Sequence, residues 1–227
     1  MSKDKIQKKI NELQEILNSN LTTEYNIILD RSGSMSSIKD DMEGGFKTWL
    51  ETEKQLPGEA VVNLYQFDDK FETVYENQTL ENAKLDLAPR GMTALHDAIG
   101  KTIGLVKDRH KKNKPDRTQF LIITDGHENS SREWTGEKVK ELVELETSKN
   151  DWMFLYIGAN QDAILKGQEL GIRKGSSLNF ASDEVGTSVM WSNYIHVASG
   201  LRCSNNETYR NYLTGDQDVF DPTNQGE

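Results

Sequence analysis

Tyr25-Asn26-Ile27-Ile28-Leu29-Asp30-Arg31-Ser32-Gly33-Ser34 sets a short apolar run directly against an aspartate and a Gly/Ser loop. A run of this length bounded by turn residues reads as a buried strand. A second run, Gln119-Phe120-Leu121-Ile122-Ile123-Thr124, ends the same way in Asp125-Gly126, and a third, Trp152–Ile157, ends at Gly158. Helical patterns separate them. One runs through Ile38, Met42, Phe46, Trp49 and Leu50 and is ended by Pro57-Gly58. Others cover Ala94–Lys107, Gly136–Thr147 and Asp162–Leu170, the last closed by Gly171. Continuous apolar strands alternating with amphipathic helices signal a mostly parallel sheet covered on both faces. Ala60–Phe67 and Phe71–Tyr75, joined by Asp68-Asp69-Lys70, read as a hairpin that adds one antiparallel strand. The expected fold is α/β: a doubly wound, mostly parallel sheet with one antiparallel edge strand and helices on both faces.

Working outward, Leu85–Ala88 reads as a short extended piece and Leu178–Phe180 as an edge strand. Glu184–Leu201 reads as a last helix, carrying Val185, Val189, Met190, Trp191, Tyr194, Ile195 and Val197. Residues 1–20 place Ile6, Ile10, Leu13, Ile16 and Leu17 at helical spacing, an amphipathic N-terminal helix. The main domain is expected over 21–201. Residues 202–227 form a polar C-terminal segment to which the pattern assigns no structure. Phe46, Trp49 and Trp191 belong to the core.

The chain has 227 residues, enough for a full core, and 28% of them are charged. No apolar run reaches the length of a membrane span, and the N-terminus lacks the apolar stretch of a signal peptide. Cys203 is the single cysteine, so no intramolecular disulfide can form and a cytoplasmic setting is expected. The formal net charge of −10 argues against nucleic acid, because such a surface repels phosphate. The one basic concentration, Lys107–Lys114, sits at a helix end, where cations are favoured anyway.

Two strands ending in aspartate at the same sheet edge, each opening into a loop, point to a site, because ligands of such sheets gather at the carboxyl ends of strands. In Asp30-Arg31-Ser32-Gly33-Ser34, alternate positions on a tight loop turn one carboxylate and two hydroxyls toward one point. Hard oxygen ligands of this kind suit Mg²⁺ or Mn²⁺, with Ca²⁺ the lesser candidate. Gly91-Met92-Thr93-Ala94-Leu95 places another hydroxyl at the start of a helix, and Asp125 supplies a second carboxylate.

The order D-x-S-x-S, then G-x-T-x-L, then a strand ending in D-G resembles the metal-ion-dependent adhesion site of the von Willebrand factor A family. Thr93 follows Asp30 by 63 residues and Asp125 follows Thr93 by 32, a separation similar to that family's. The resemblance spans roughly Glu24 to Leu201, and the chain looks similar to compact intracellular A-type proteins of bacteria and their phages. It implies a Rossmann-like fold in which Ser32 and Ser34 ligate the ion directly. Thr93 and Asp125 would bind it directly or through water, and Asp30 mostly through water. It also implies a partner protein whose Asp or Glu completes the shell. Charge counting agrees, since two carboxylates and one divalent cation leave the ion attractive to another anion. Arg31, Met35, His127, Glu128 and Asn129 are expected around the rim.

The expectation is therefore a binding module and not an enzyme. A Mg²⁺-dependent phosphatase of the haloacid dehalogenase type would need a second aspartate two residues after the first, where Ser32 stands. A scaffold whose metal only braces the fold is the other alternative. The tail acids Asp216, Asp218, Asp221 and Glu227 form no calcium loop, because Asp221 occupies the position that needs glycine. Self-association, with one of these acids docked in a neighbouring copy's site, is a secondary expectation. No membrane partner is expected.

Overall fold

The computed structural model describes residues 21–159 and 162–220. The expected N-terminal helix lies outside the described residues. Six strands, β1 (Thr22–Asp30), β2 (Glu59–Phe67), β3 (Phe71–Thr79), β4 (Arg117–Thr124), β5 (Met153–Ala159) and β6 (Ser177–Phe180), form one sheet in the order β3-β2-β1-β4-β5-β6. All neighbours run parallel except β2 and β3, the expected hairpin. The strand order runs outward from β1 in both directions, so the switch point lies between β1 and β4. The first of these ends at Asp30, and Asp125 directly follows the second.

Among the described residues six α-helices cover the sheet: α1 (Lys39–Glu53), α2 (Leu95–His110), α3 (Gly136–Asn150), α4 (Ala163–Glu169), α5 (Glu184–Cys203) and α6 (Asn206–Thr214). The period-two alternation of a strand splits each apolar run between two cores. Tyr25, Ile27 and Leu29 of β1 pack with Met42, Phe46 and Trp49 of α1 and with Trp191 and Tyr194 of α5. Ile28 faces the other way, into the core formed with Ile99, Ile103 and Val106 of α2 and Val139 and Val143 of α3. Trp49 meets Tyr25 edge-on, with ring centroids 5.1 Å apart, and Trp191 packs on Phe46 and Tyr194. The apolar character of YNIIL and FLIIT follows from this, since both faces of a central parallel strand are covered.

Two expectations need correction. Leu85–Ala88 forms no strand. Side chains satisfy its backbone instead, Gln66 donating to the carbonyl of Asp86 and Leu87 N–H donating to Glu43. Nor is α5 the last helix. Asn205 accepts from Thr208 N–H to cap α6, and Gly215 closes it in the left-handed region at φ 84°. Tyr209, Leu213 and Val219 enter the core beside α5, so part of the polar tail is bound to the domain. Its polarity hid this because three apolar anchors in so short a segment make a weak periodic signal. The Tyr209 hydroxyl lies near the carbonyls of Thr118 and Asp151, which puts α6 at the sheet edge opposite Asp30 and Asp125.

Candidate metal centre

Asp30 is the last residue of β1 and fully buried. Its Oδ1 accepts from Ser32 N–H at 2.6 Å, which folds the loop back on the carboxylate. Its Oδ2 accepts from Thr124 Oγ1 at 2.6 Å. After Ser32 the chain turns into a 3-10 helix, Gly33–Ile38, whose buried Met35 and Ile38 hold the loop to the core. The hydroxyls of Ser32 and Ser34 stand 3.1 Å apart, and Ser34 donates to Asp125 Oδ1 at 2.5 Å.

Thr93 comes from the segment before α2 and is tied to the loop after β4 by two bonds. Its N–H donates to Asn129 Oδ1 and its carbonyl accepts from Asn129 N–H, both at 3.0 Å. Gly126 is the point of closest approach. A β-carbon there would stand 2.7 Å from Thr93 Oγ1, 3.5 Å from Asp30 Oδ2 and 3.6 Å from Ser32 Oγ. With the Ser32–Ser34–Asp125 chain of contacts, all five expected residues meet in one cradle at the switch point.

The cradle's electrostatics are those of an anion without a counter-charge. Burial pushes the Asp30 carboxyl up to about 6, against the lowering hydrogen bonds from Thr124 and Ser32. Burial also raises Asp125, again against hydrogen bonds that favour its ionised form. Among the described residues neither carboxylate has a lysine or arginine ion pair. No group of three or more His, Cys, Asp or Glu that could hold a metal occurs among them either. The cradle instead brings together two carboxylates and three hydroxyls, an all-oxygen donor set that fits a hard divalent cation. A cation there would relieve the buried negative charge that burial alone penalises.

The expected rim divides. Arg31 is only 4% exposed and turns away, its Nε on Asp68 at 2.9 Å and its Nη1 on Glu72. Met35 is buried in the core. Neither has the exposed side chain expected of a rim residue, because both serve to pin the loop. Glu128 accepts from the N–H groups of His96, Ser130 and Ser131 and braces its own loop. Asn129 is exposed but spends its carbonyl oxygen on Thr93, which leaves His127 as the exposed side chain without such a bond. Asp97, in the first turn of α2, braces the same loop by accepting from the N–H groups of Arg132, Glu133 and Trp134.

Sequence reasoning missed Thr124, Gly126 and Asp68. The signal for Asp68 was present, since it too is an aspartate directly after a buried strand. Burial opposes its ionisation, yet Lys70 N–H, Arg90 and Arg31 hold it below the usual carboxylate range.

A cavity of about 190 Å³ adjoins the cradle, walled by His96, Gly126, His127, Tyr156, Lys166 and Glu169. A larger one, about 350 Å³, lies at the opposite sheet edge beside Thr22, Glu24 and Arg109. There the Arg109 guanidinium is already engaged by Glu24, Glu76 and Asn26. The basic concentration at the end of α2 is thus partly a buried network, with Lys107 on Glu146 at 2.6 Å and His110 Nε2 2.6 Å from Glu24 Oε2. Among the described residues no helix is long and apolar enough to cross a membrane.

No protein-family model matches the sequence, and no curated protein matches it. Solved structures do match. The vWF domain of the type V pili tip protein Mfa5 from Porphyromonas gingivalis superposes with a TM-score of 0.58 at 8% identity, covering 82% of this chain and 98% of that one. The von Willebrand factor type A protein from Catenulispora acidiphila gives 0.54 at 17% identity, over 80% of this chain and 43% of that one. The ArnB paralog VWA2 from Sulfolobus acidocaldarius gives 0.52 at 18% identity, over 76% and 44%. The chain thus spans less than half the length of the last two. At these identities the likeness concerns the fold alone. In its fold, this chain is similar to von Willebrand factor A domains.

Proposed function

We propose that this chain is a metal-dependent protein–protein interaction module. One Mg²⁺ or Mn²⁺ would be held by Asp30, Ser32, Ser34, Thr93 and Asp125, and an Asp or Glu of a partner protein would complete its shell. The observation that carries this reading is the convergence of those five side chains, from three separate segments, on a point beside Gly126. The fold is one often used for protein–protein interaction. The ion would supply attraction for a carboxylate, and the protein's own groups would fix where that carboxylate arrives. His127 and the adjoining cavity would meet the residues that flank it.

The module is read as a recognition device and not an enzyme, because the carboxylate a phosphatase needs beside Asp30 is replaced by Ser32. A cytoplasmic setting is proposed on the single cysteine. The test is thermal unfolding of wild type and Asp30→Ala with Mg²⁺ or Mn²⁺ and with EDTA, followed by partner capture with metal present. Metal at a hundredfold excess over Kd should stabilise wild type by about 2.7 kcal/mol and leave the variant unmoved. Equal shifts in both proteins would refute the assignment. Capture that persists in EDTA would convert the metal to a structural brace.

A further inference from the structure

We infer that Asp68 is the positioning residue that sets the two hydroxyl-bearing loops of the metal centre in register, a role that rests on the metal reading above. Asp68 follows β2 and is 1% exposed. Its Oδ2 accepts from Arg31 Nε at 2.9 Å and from Arg90 Nε at 3.0 Å. Its Oδ1 accepts from Lys70 N–H at 2.7 Å, and its carbonyl accepts from Ala94 N–H at 2.8 Å.

These four bonds go to informative places. Arg31 stands between Asp30 and Ser32, and Ala94 directly follows Thr93. One aspartate therefore grips the first loop through Arg31 and the second loop at both ends, through Arg90 and Ala94. The loops also bond each other, Arg90 N–H to Arg31 carbonyl at 2.7 Å and Gly33 N–H to Gly91 carbonyl at 3.4 Å. Arg31 N–H donates to Phe67 carbonyl at 2.8 Å, so the strand end beside Asp68 holds the same loop by its backbone. Gly91, at φ 71°, lets the second loop lie flat on the clasp, since a β-carbon there would be 2.6 Å from Asp69 Oδ1 and 3.2 Å from Asp68 Cβ.

The chemistry needs such a part. Ser32 and Thr93 come from segments far apart in sequence, and the two backbone bonds that join their loops run between Arg31, Gly33, Arg90 and Gly91 and involve neither Ser32 nor Thr93. A small cation that demands near-octahedral geometry tolerates little error in that distance. Asp68 touches none of the five oxygen-bearing side chains by a bond of its own, so its contribution is to their placement. Outer partners of this kind govern metal affinity by about 10- to 100-fold.

The test measures Mn²⁺ affinity by electron paramagnetic resonance, and amide hydrogen exchange in EDTA, for wild type, Asp68→Asn and Asp68→Ala. Glu53→Gln is the control, since Glu53 and Arg202 form an equally buried pair remote from the cradle. Both Asp68 variants should weaken Mn²⁺ binding about 10- to 100-fold. In EDTA they should also raise exchange in the segments around Ser32 and Thr93 together. The Glu53 variant should lower the melting temperature and leave both readouts at wild-type values. Unchanged Mn²⁺ affinity in the Asp68 variants, or loosening of only one loop, would overturn the role. A wild type that itself binds no Mn²⁺ would overturn the metal reading and leave the joining of the loops to the second readout. The exchange data would still decide whether Asp68 joins the loops.

Discussion

Replacing Gly126 by alanine puts a methyl group where Thr93, Asp30 and Ser32 converge. The added carbon would stand 2.7 Å from Thr93 Oγ1 and 3.5 Å from Asp30 Oδ2. Only the first is an overlap, so relief requires the Thr93 hydroxyl or its loop to retreat by several tenths of an ångström. Overpacking of this kind costs about 1–3 kcal/mol. Gly126 is not among the glycines at positive φ, so alanine fits its backbone and returns about 0.4–1 kcal/mol through the unfolded chain. In EDTA the variant should therefore lose up to about 2.6 kcal/mol, or up to about 10 °C at about 2–4 °C per kcal/mol for this size. With metal at a hundredfold excess over Kd, wild type should gain about 2.7 kcal/mol, and the variant should gain little of it. Gly44→Ala is the matched control, because a β-carbon there meets nothing within 4 Å and the residue lies inside α1. It should add about 0.5–1 kcal/mol with or without metal and keep the full metal response. Scanning calorimetry of the three proteins in EDTA and in Mg²⁺ reads all of these values. A Gly126→Ala protein with an undiminished metal response would refute the placement of the cradle, whatever its stability in EDTA.

Three further outcomes follow from the same structure. Thr93→Ala should keep the fold and lose most of the metal response, because it removes one oxygen while Asn129 still holds the segment through backbone and side chain; isothermal titration with Mn²⁺ checks it. Gly45→Ala should destabilise by about 1–3 kcal/mol in urea melts, since its methyl would overlap the Trp191 indole where α1 meets α5. Glu24→Gln breaks a buried pair in which Glu24 accepts from Arg109 Nε at 2.6 Å and lies against His110 Nε2, with Asn26 and Asn63 alongside, and should cost about 3 kcal/mol at pH 7. Burial opposes ionisation of Glu24, but His110 and Arg109 hold its folded pKa below 4.5, so its stabilisation is complete above 4.5 and disappears as pH falls through the folded value. The gap between wild type and variant should narrow on acidification, and a gap that stays constant down to pH 3 would contradict the pairing.

The layered α/β architecture was legible because a strand buried on both faces must be apolar at every position, and YNIIL and FLIIT are near enough to that to be recognised without any neighbour in view. The hairpin was legible from Asp68-Asp69-Lys70 for a local reason too, since turn chemistry is written in adjacent residues. The cradle's five residues could be named from spacing and resemblance. Where the side chains between them point could not. Arg31 sits in the middle of the loop and reads as a rim residue until β2 brings Asp68 beside it. Met35 reads as exposed in a Gly/Ser-rich loop until the 3-10 turn rotates it inward.

The sequence by itself determined the central strands and the helices between them, their alternation and the identity of the oxygen-bearing residues, because each of these is carried by a periodicity or a short motif. Tertiary structure alone decided three things: that Gly126 is the contact point of the cradle, that Asp68 ties one loop to the other, and that α6 packs beside α5. Each depends on residues dozens of positions apart becoming neighbours, and that proximity is set by the sheet order and not by any local preference.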